Sequence, residues 1–280
     1  MKVLLALAAL LVMAFLLLPL AAVVPVSLSG SEILELPPPR WSLRWYAAFF
    51  GDADWQLAMR NSFIVAAGAV GAAVPLGTAA ALGLWLRMRP KLLAAFLLPM
   101  AVPAVIAALA LYFAFAAVGI GSSLGGLVLA HTVLAAPFVV VAVLANLRGV
   151  DPLLLRAAES LGAAQTQGLV RVILPLARPG MLAGGVFAFA VSFDEVMVVL
   201  FIAAPGQFTL PRKMFSGLRE QITPTVFAAA TIVLALCLVL SWIAARVGQA
   251  PASPPAHPGG AGAAASAGSE GGLSRRRGLV

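Results

Sequence analysis

Long apolar runs separated by short polar stretches make up most of this chain. Six of them approach or exceed the ~20 residues an α-helix needs to cross ~30 Å of hydrocarbon. They lie at about 3–26, 62–86, 92–118, 126–147, 180–204 and 224–247. The first, MKVLLALAALLVMAFLLLPLAAVVPV, is longer than the ~7–15-residue core of a secretory signal and has no convincing small-x-small cleavage site. It predicts a retained span. The polar stretch 27–60 holds WSLRWYAAFF, whose Trp41, Trp45 and Tyr46 suit a membrane–water boundary. That pattern predicts a short interfacial helix; contact with an outside partner is the other reading.

The polar stretch 148–179 is different. Asp151-Pro152 is a helix start, an N-cap followed by a proline tolerated at the first helical position. Leu154, Ala157, Ala158 and Leu161 then share one helical face, with Arg156, Glu159 and Ser160 on the other. Arg156 and Glu159, three apart, can pair for only ~0.2–0.5 kcal/mol. Gly162 falls where a left-handed residue ends a helix. A second helical stretch follows, and Pro175 and Pro179 mark the return to the membrane. Such short helices do not fold alone, so they either lie on lipid headgroups or dock a cytoplasmic subunit.

Composition fits a bilayer. The chain of 280 residues is 62% hydrophobic and 10% charged, whereas soluble domains carry about 25% charged residues. The net charge of +8 does not point to nucleic acid, because the basic residues flank apolar runs. One side collects Lys2, Arg87, Arg89, Lys91, Arg148, Arg156, Arg171, Arg178, Arg246, Arg275, Arg276 and Arg277. The other collects Arg40, Arg44, Arg60, Arg212, Lys213 and Arg219, completing the 18 basic residues. Basic residues concentrate in cytoplasmic loops, so both termini and the loop 148–179 are expected in the cytoplasm. The 248–280 tail is rich in Pro, Gly, Ala and Ser and is expected to be disordered there, its RRR meeting anionic lipid. The single cysteine, Cys237, excludes an internal disulfide and a cysteine metal cluster.

RAAESLGAAQTQGLVRVILP resembles the "EAA" loop of ABC-importer permeases: E-A-A, three residues, G, nine residues, I-x-L-P. Here Arg156-Ala157-Ala158 precedes Gly162, and Val172-Ile173-Leu174-Pro175 closes the pattern at that spacing. Arg156 stands in place of the Glu and Val172 in place of the Ile; an acid reappears at Glu159. SFDEVMVVLFIAAPGQFTLPRKMFSGLREQITPTVFAAATI resembles the last third of the spermidine/putrescine permease family. The likeness covers roughly residues 1–247. It implies an all-α membrane protein of six transmembrane helices, the type I ABC-importer permease fold, in the bacterial inner (cytoplasmic) membrane. It implies coupling residues Arg156, Ala157, Ala158, Glu159, Gly162, Val172, Leu174 and Pro175. Implied partners are cytoplasmic ABC ATPase subunits, a second homologous permease subunit and a periplasmic substrate-binding protein.

No G-x-x-x-x-G-K-[ST] occurs, so the chain itself is expected to need no cofactor, ATP being bound by a partner subunit. Asp194 and Glu195 fall inside the fifth apolar run, with Ser192 on the face of Glu195. An acid there costs ~2.5–3.5 kcal/mol on insertion scales. It serves either a buried contact with another helix or subunit, or a cation-attracting station on the translocation path. His131 reads as packing, and Gly68, Gly71 and Gly77 as close helix contacts. Arg212 and Lys213 lie on the outer side, where they could meet the binding protein. The favoured cargo is a polyamine. Ferric iron, thiamine or an opine are the other cargoes. An ion-driven secondary transporter using Asp194 and Glu195 has no reason to keep the 156–175 loop. No nucleophile–base pair, metal cluster or cofactor loop suggests an enzyme.

Overall fold

In hydrocarbon a backbone must satisfy its own polar groups, and helices do so within one segment. The computed structural model describes residues 1–220 and 223–247; the tail expected at 248–280 lies outside the described residues. The helices are α1 (Lys2–Ser27), α2 (Arg44–Gly51), α3 (Ala53–Leu86), α4 (Pro90–Ala101), α5 (Ala104–Val118) and α6 (Leu124–Leu147). Then come α7 (Leu153–Ser160), α8 (Gln165–Gly168), a π-helical turn (Leu169–Ile173), α9 (Leu174–Asp194), α10 (Met197–Ile202), α11 (Leu210–Glu220) and α12 (Thr225–Val247). Five helical stretches among them are long and apolar enough to cross a membrane, and a bent pair makes a sixth.

The first, second, fourth and sixth apolar runs become α1, α3, α6 and α12. α3 begins earlier than hydropathy suggests, because the Asp52 carboxylate accepts hydrogen bonds from the Asp54 and Trp55 backbone N–H groups at 2.8 and 3.0 Å and starts the helix there. The interfacial helix expected in WSLRWYAAFF is α2, with Trp45 and Phe49 buried.

Two expected spans are broken. The run 92–118 is not one helix: α4 and α5 meet at a bend of 102°. Val102, before Pro103, is extended at φ −81°, ψ 130°, as the proline ring demands of its predecessor. The run 180–204 is also displaced. Its helical path runs from Gln165 to Asp194, stops at the extended Glu195, and resumes as α10.

The packing centre is α3 against α6 and α6 against α9. Small residues allow the approach. A Cβ on Gly77 would lie 2.7 Å from Val139 Cβ, and one on Gly184 would lie 2.9 Å from Val139 Cα. Gly68 abuts Val128 in the same way, whereas Gly71 meets nothing within 4 Å, so its expected packing role is not borne out. At one end of the bundle Leu84, Val143, Leu147, Leu155 and Ile173 form a continuous core, and Trp85 Nε1 donates to the Leu147 carbonyl at 3.0 Å. At the other end Phe49, Trp55, Phe193, Leu210 and Val226 pack together. α1 leans on α12; Ser27 Oγ and Tyr46 OH, 2.8 Å apart, tie it to α2.

Candidate coupling and translocation site

The segment 151–175 forms a ledge of two helical pieces at the first of these ends. Asp151 Oδ1 accepts from the Leu153 N–H at 2.8 Å, the capping its sequence suggested. α7 ends in a Schellman turn: the Gly162 N–H donates to the Glu159 carbonyl at 2.9 Å and the Ala163 N–H to the Ala158 carbonyl at 3.1 Å. Gly162 has φ +90°, which only glycine adopts cheaply.

The ledge is rooted by a different face from the one the periodicity selected. Leu155 is buried, Ala158 partly so, and Leu155 lies over Gly168, where a Cβ would approach it to 2.7 Å. Leu154, Ala157 and Leu161 are exposed, Leu161 at 89%. Of the four residues that share the apolar face, only Ala158 turns toward the bundle. Apolar periodicity alone does not tell a core-facing stripe from one left open. Leu155 and Ile173 then join the core of α3, α6 and α9.

Arg156 and Glu159 are both exposed and do not pair. The ion pairs among the described residues are Arg44–Glu32 and Lys213–Asp54. A wetted pair returns too little to hold two long side chains in one geometry. Val172, Leu174 and Pro175 are partly buried where the ledge passes into α9. Pro175 has no N–H for the Arg171 carbonyl, and the π-helical turn Leu169–Ile173 takes up that misfit. The sequence reading missed Leu155 and Gly168, whose clue was their place on either side of the glycine turn, and it quoted Ile173 in the closing motif without a core role.

The acidic pair sits at a helix break, not within a span. Asp194 is the exposed last residue of α9. Glu195 Oε1 accepts from the Val198 N–H at 3.0 Å, so this carboxylate caps the start of α10. Ser192 does not share an open face with it. Ser192 is buried, its Oγ 2.8 Å and its carbonyl 3.1 Å from His131 Nδ1. The carbonyl can only accept, so Nδ1 carries the proton. His131 thereby satisfies a carbonyl in the last turn of α9, where intrahelical donors run out. An apolar cleft of about 670 Å³ opens beside α3 and α9, bordered by Val70, Gly71, Val74, Met181 and Phe189. Ser192, Asp194 and Glu195 are not part of its wall.

A membrane bundle centred on three packed helices, with a rooted two-piece ledge at one end, defines a type I ABC-importer permease. The solved bacterial ABC transporter that imports the acidic polysaccharide alginate has this fold, with a TM-score of 0.66, 14% identity, and 88% of this chain and 95% of that one covered. The family described as "Binding-protein-dependent transport system inner membrane component" matches residues 73–251, and the chain belongs to it. It is 32% identical over 203 residues to the spermidine/putrescine transport system permease protein PotC of Escherichia coli (strain K12), covering 71% of this chain and 77% of that protein. It is 32% identical over 240 residues to the putrescine transport system permease protein PotI of the same strain, covering 82% and 85%. The chain is therefore a transport permease of the inner membrane.

Proposed function

We propose that this chain is one permease subunit of an ATP-driven importer of polyamines. The observation that carries the coupling role is the ledge: rooted by Leu155 and Ile173, it leaves Leu154, Ala157 and Leu161 open. An apolar stripe next to a rigid glycine turn suits a groove on a cytoplasmic ABC ATPase, which binds the ATP. Arg156, Ala157, Glu159 and Gly162 meet that subunit, and Val172, Leu174 and Pro175 carry its movement into α9. Both termini and the ledge face the cytoplasm, a reading supported by the basic residues near them.

The same reading brings in two further partners. The apolar cleft beside α3 and α9 suits a second, related permease subunit, giving a heterodimeric pore. A periplasmic binding protein delivers cargo to the opposite end. Residues 1–247 are the transmembrane unit, and 248–280 are a cytoplasmic tail beside anionic lipid. The likeness to PotC and PotI supports polyamine as cargo, and the exposed Asp194 supplies a carboxylate that a protonated amine would seek.

Uptake of radiolabelled putrescine and spermidine tests this. Cells lacking the chain should lose uptake, and the intact chain should restore it. Asp194→Asn should restore little while reaching the membrane at normal level. Unchanged uptake on deletion, with no redundant importer, would move the cargo to another solute.

A further inference from the structure

A second polar cluster stands at the opposite end of the bundle from the ledge, where the segment joining α10 to α11 folds over the start of α3. α3 staples that segment from one side. Buried Asn61 donates through Nδ2 to the Gly206 and Phe208 carbonyls at 2.9 and 3.1 Å. Ser62 Oγ accepts from the Leu210 N–H at 2.7 Å. Nearer the start of α3, Lys213 Nζ donates to Asp54 Oδ2 at 3.0 Å and lies 5.6 Å from the centre of the Trp55 ring. The Lys213 side chain is 24% exposed, that of Asp54 77%. The pair stands between two clefts. One, of about 600 Å³, is bordered by Trp55, Phe208, Arg212 and Ser216. The other, of about 160 Å³, is bordered by Leu57, Pro205 and Gly206.

We propose that Asp54 and Trp55 form a subsite for a protonated primary amine, held in this structure by the chain's own Lys213, which an incoming amine displaces. The inference rests on the amine-cargo reading and adds to it a site and an occupant. A carboxylate beside an aromatic face is the chemistry that selects an alkylammonium over a neutral solute. The lysine side chain is itself an ammonium on a four-carbon stem, so the fold already displays the ligand class in place. Exchange leaves one cation on the Asp54 carboxylate, and the released Lys213 ammonium turns into the open cleft on whose wall it already lies. The open side of Asp54 gives the incoming amine access. The Asn61 and Ser62 bonds hold the segment independently of Lys213, so releasing the lysine does not require the segment to come away.

A simple surface staple has a different signature. If the ion pair only fastens α11 to α3, removing either partner has the same effect. If Asp54 is a subsite and Lys213 its competitor, the two removals act in opposite directions. The test is putrescine binding to the detergent-solubilised, fully assembled transporter without its binding protein, measured calorimetrically beside uptake in cells. Asp54→Asn should weaken binding about tenfold or more, and Lys213→Met should tighten it. Trp55→Phe, which keeps a ring face, should bind better than Trp55→Ala. Equal shifts for Asp54→Asn and Lys213→Met, no shift in either, or no putrescine binding by the intact assembly would overturn the subsite. Those results with polyamine uptake intact leave the cargo reading standing. Absence of uptake by the intact system overturns the cargo reading, whereas opposite shifts in the isotherms still support an ammonium subsite.

Discussion

Replacing Gly162 tests whether the ledge acts as a rigid lever. At φ +90° a side chain is strained whatever space surrounds it, and the space is open: a Cβ at this position meets nothing within 4 Å. The penalty is therefore backbone strain alone, about 1–3 kcal/mol. At ~1.4 kcal/mol per tenfold, the closed turn loses roughly 5- to 150-fold in population relative to open forms. The two bonds that close it, Gly162 N–H to Glu159 and Ala163 N–H to Ala158, are lost together when it opens. α7 then rests on α8 and the π-helical turn through Leu155 without a fixed angle. The bundle core has no part in this turn, so insertion into the membrane should be normal. Asn tolerates left-handed backbone better than Ala, and a β-branched Val worst. The expected order of coupling is Gly162, then Gly162→Asn, Gly162→Ala and Gly162→Val. The assay is uptake and ATP hydrolysis on one reconstituted preparation, expressed as their ratio. Hydrolysis should continue while uptake falls. A Gly162→Val transporter with an unchanged ratio, or an Asn variant no better than Val, would refute the lever.

Three further outcomes follow from the packing. Leu155→Ala removes the buried anchor of α7 at a cost of about 2–5 kcal/mol; hydrogen exchange of the 153–163 amides should speed up, and unchanged protection would count against the anchor. Gly77→Ala forces a Cβ to 2.7 Å from Val139 Cβ and should lower the melting temperature in detergent, costing about 1–3 kcal/mol. In the isolated subunit Gly71→Ala, with nothing within 4 Å, should stabilise by up to about 1 kcal/mol instead, so equal melting shifts would contradict the contrast. His131→Ala leaves the Ser192 carbonyl and hydroxyl without their partner and should cost about 1–3 kcal/mol; a melting curve that matches the parent would show that this bond does not hold the end of α9.

The ledge was largely legible in the sequence, because local rules govern it. Asp151, Gly162 and Pro175 each enforce one backbone state, and the structure has the cap, the turn and the adjustment before the proline where they point. Its orientation was less legible. Leu154 and Leu155 are adjacent leucines on faces about 100° apart, and periodicity scores both as apolar. The choice between them is made by Gly168, whose missing side chain leaves room for Leu155. That contact joins residues on separate helices, and no local pattern reports it.

The broken spans expose a deeper limit of hydropathy. A span is recognised by how well its side chains suit lipid, but it remains a helix only while each carbonyl finds a donor four residues on. Prolines do not settle this, since Pro19, Pro75, Pro137 and Pro179 lie inside unbroken helices while Pro103 stands at a bend. The outcome depends on whether neighbours take over the freed groups. At the second break they do: His131 on α6 takes the Ser192 carbonyl, and Glu195 takes the Val198 N–H. α10 then packs on α5, with Val198, Val199 and Ile202 beside Ala108 and Leu127, so the pieces beyond the two breaks support each other. Glu195 is first a capping residue and His131 its counterpart across the break. Asp194 has no such hydrogen bond among the described residues, and it is the carboxylate on which the proposed cargo reading draws.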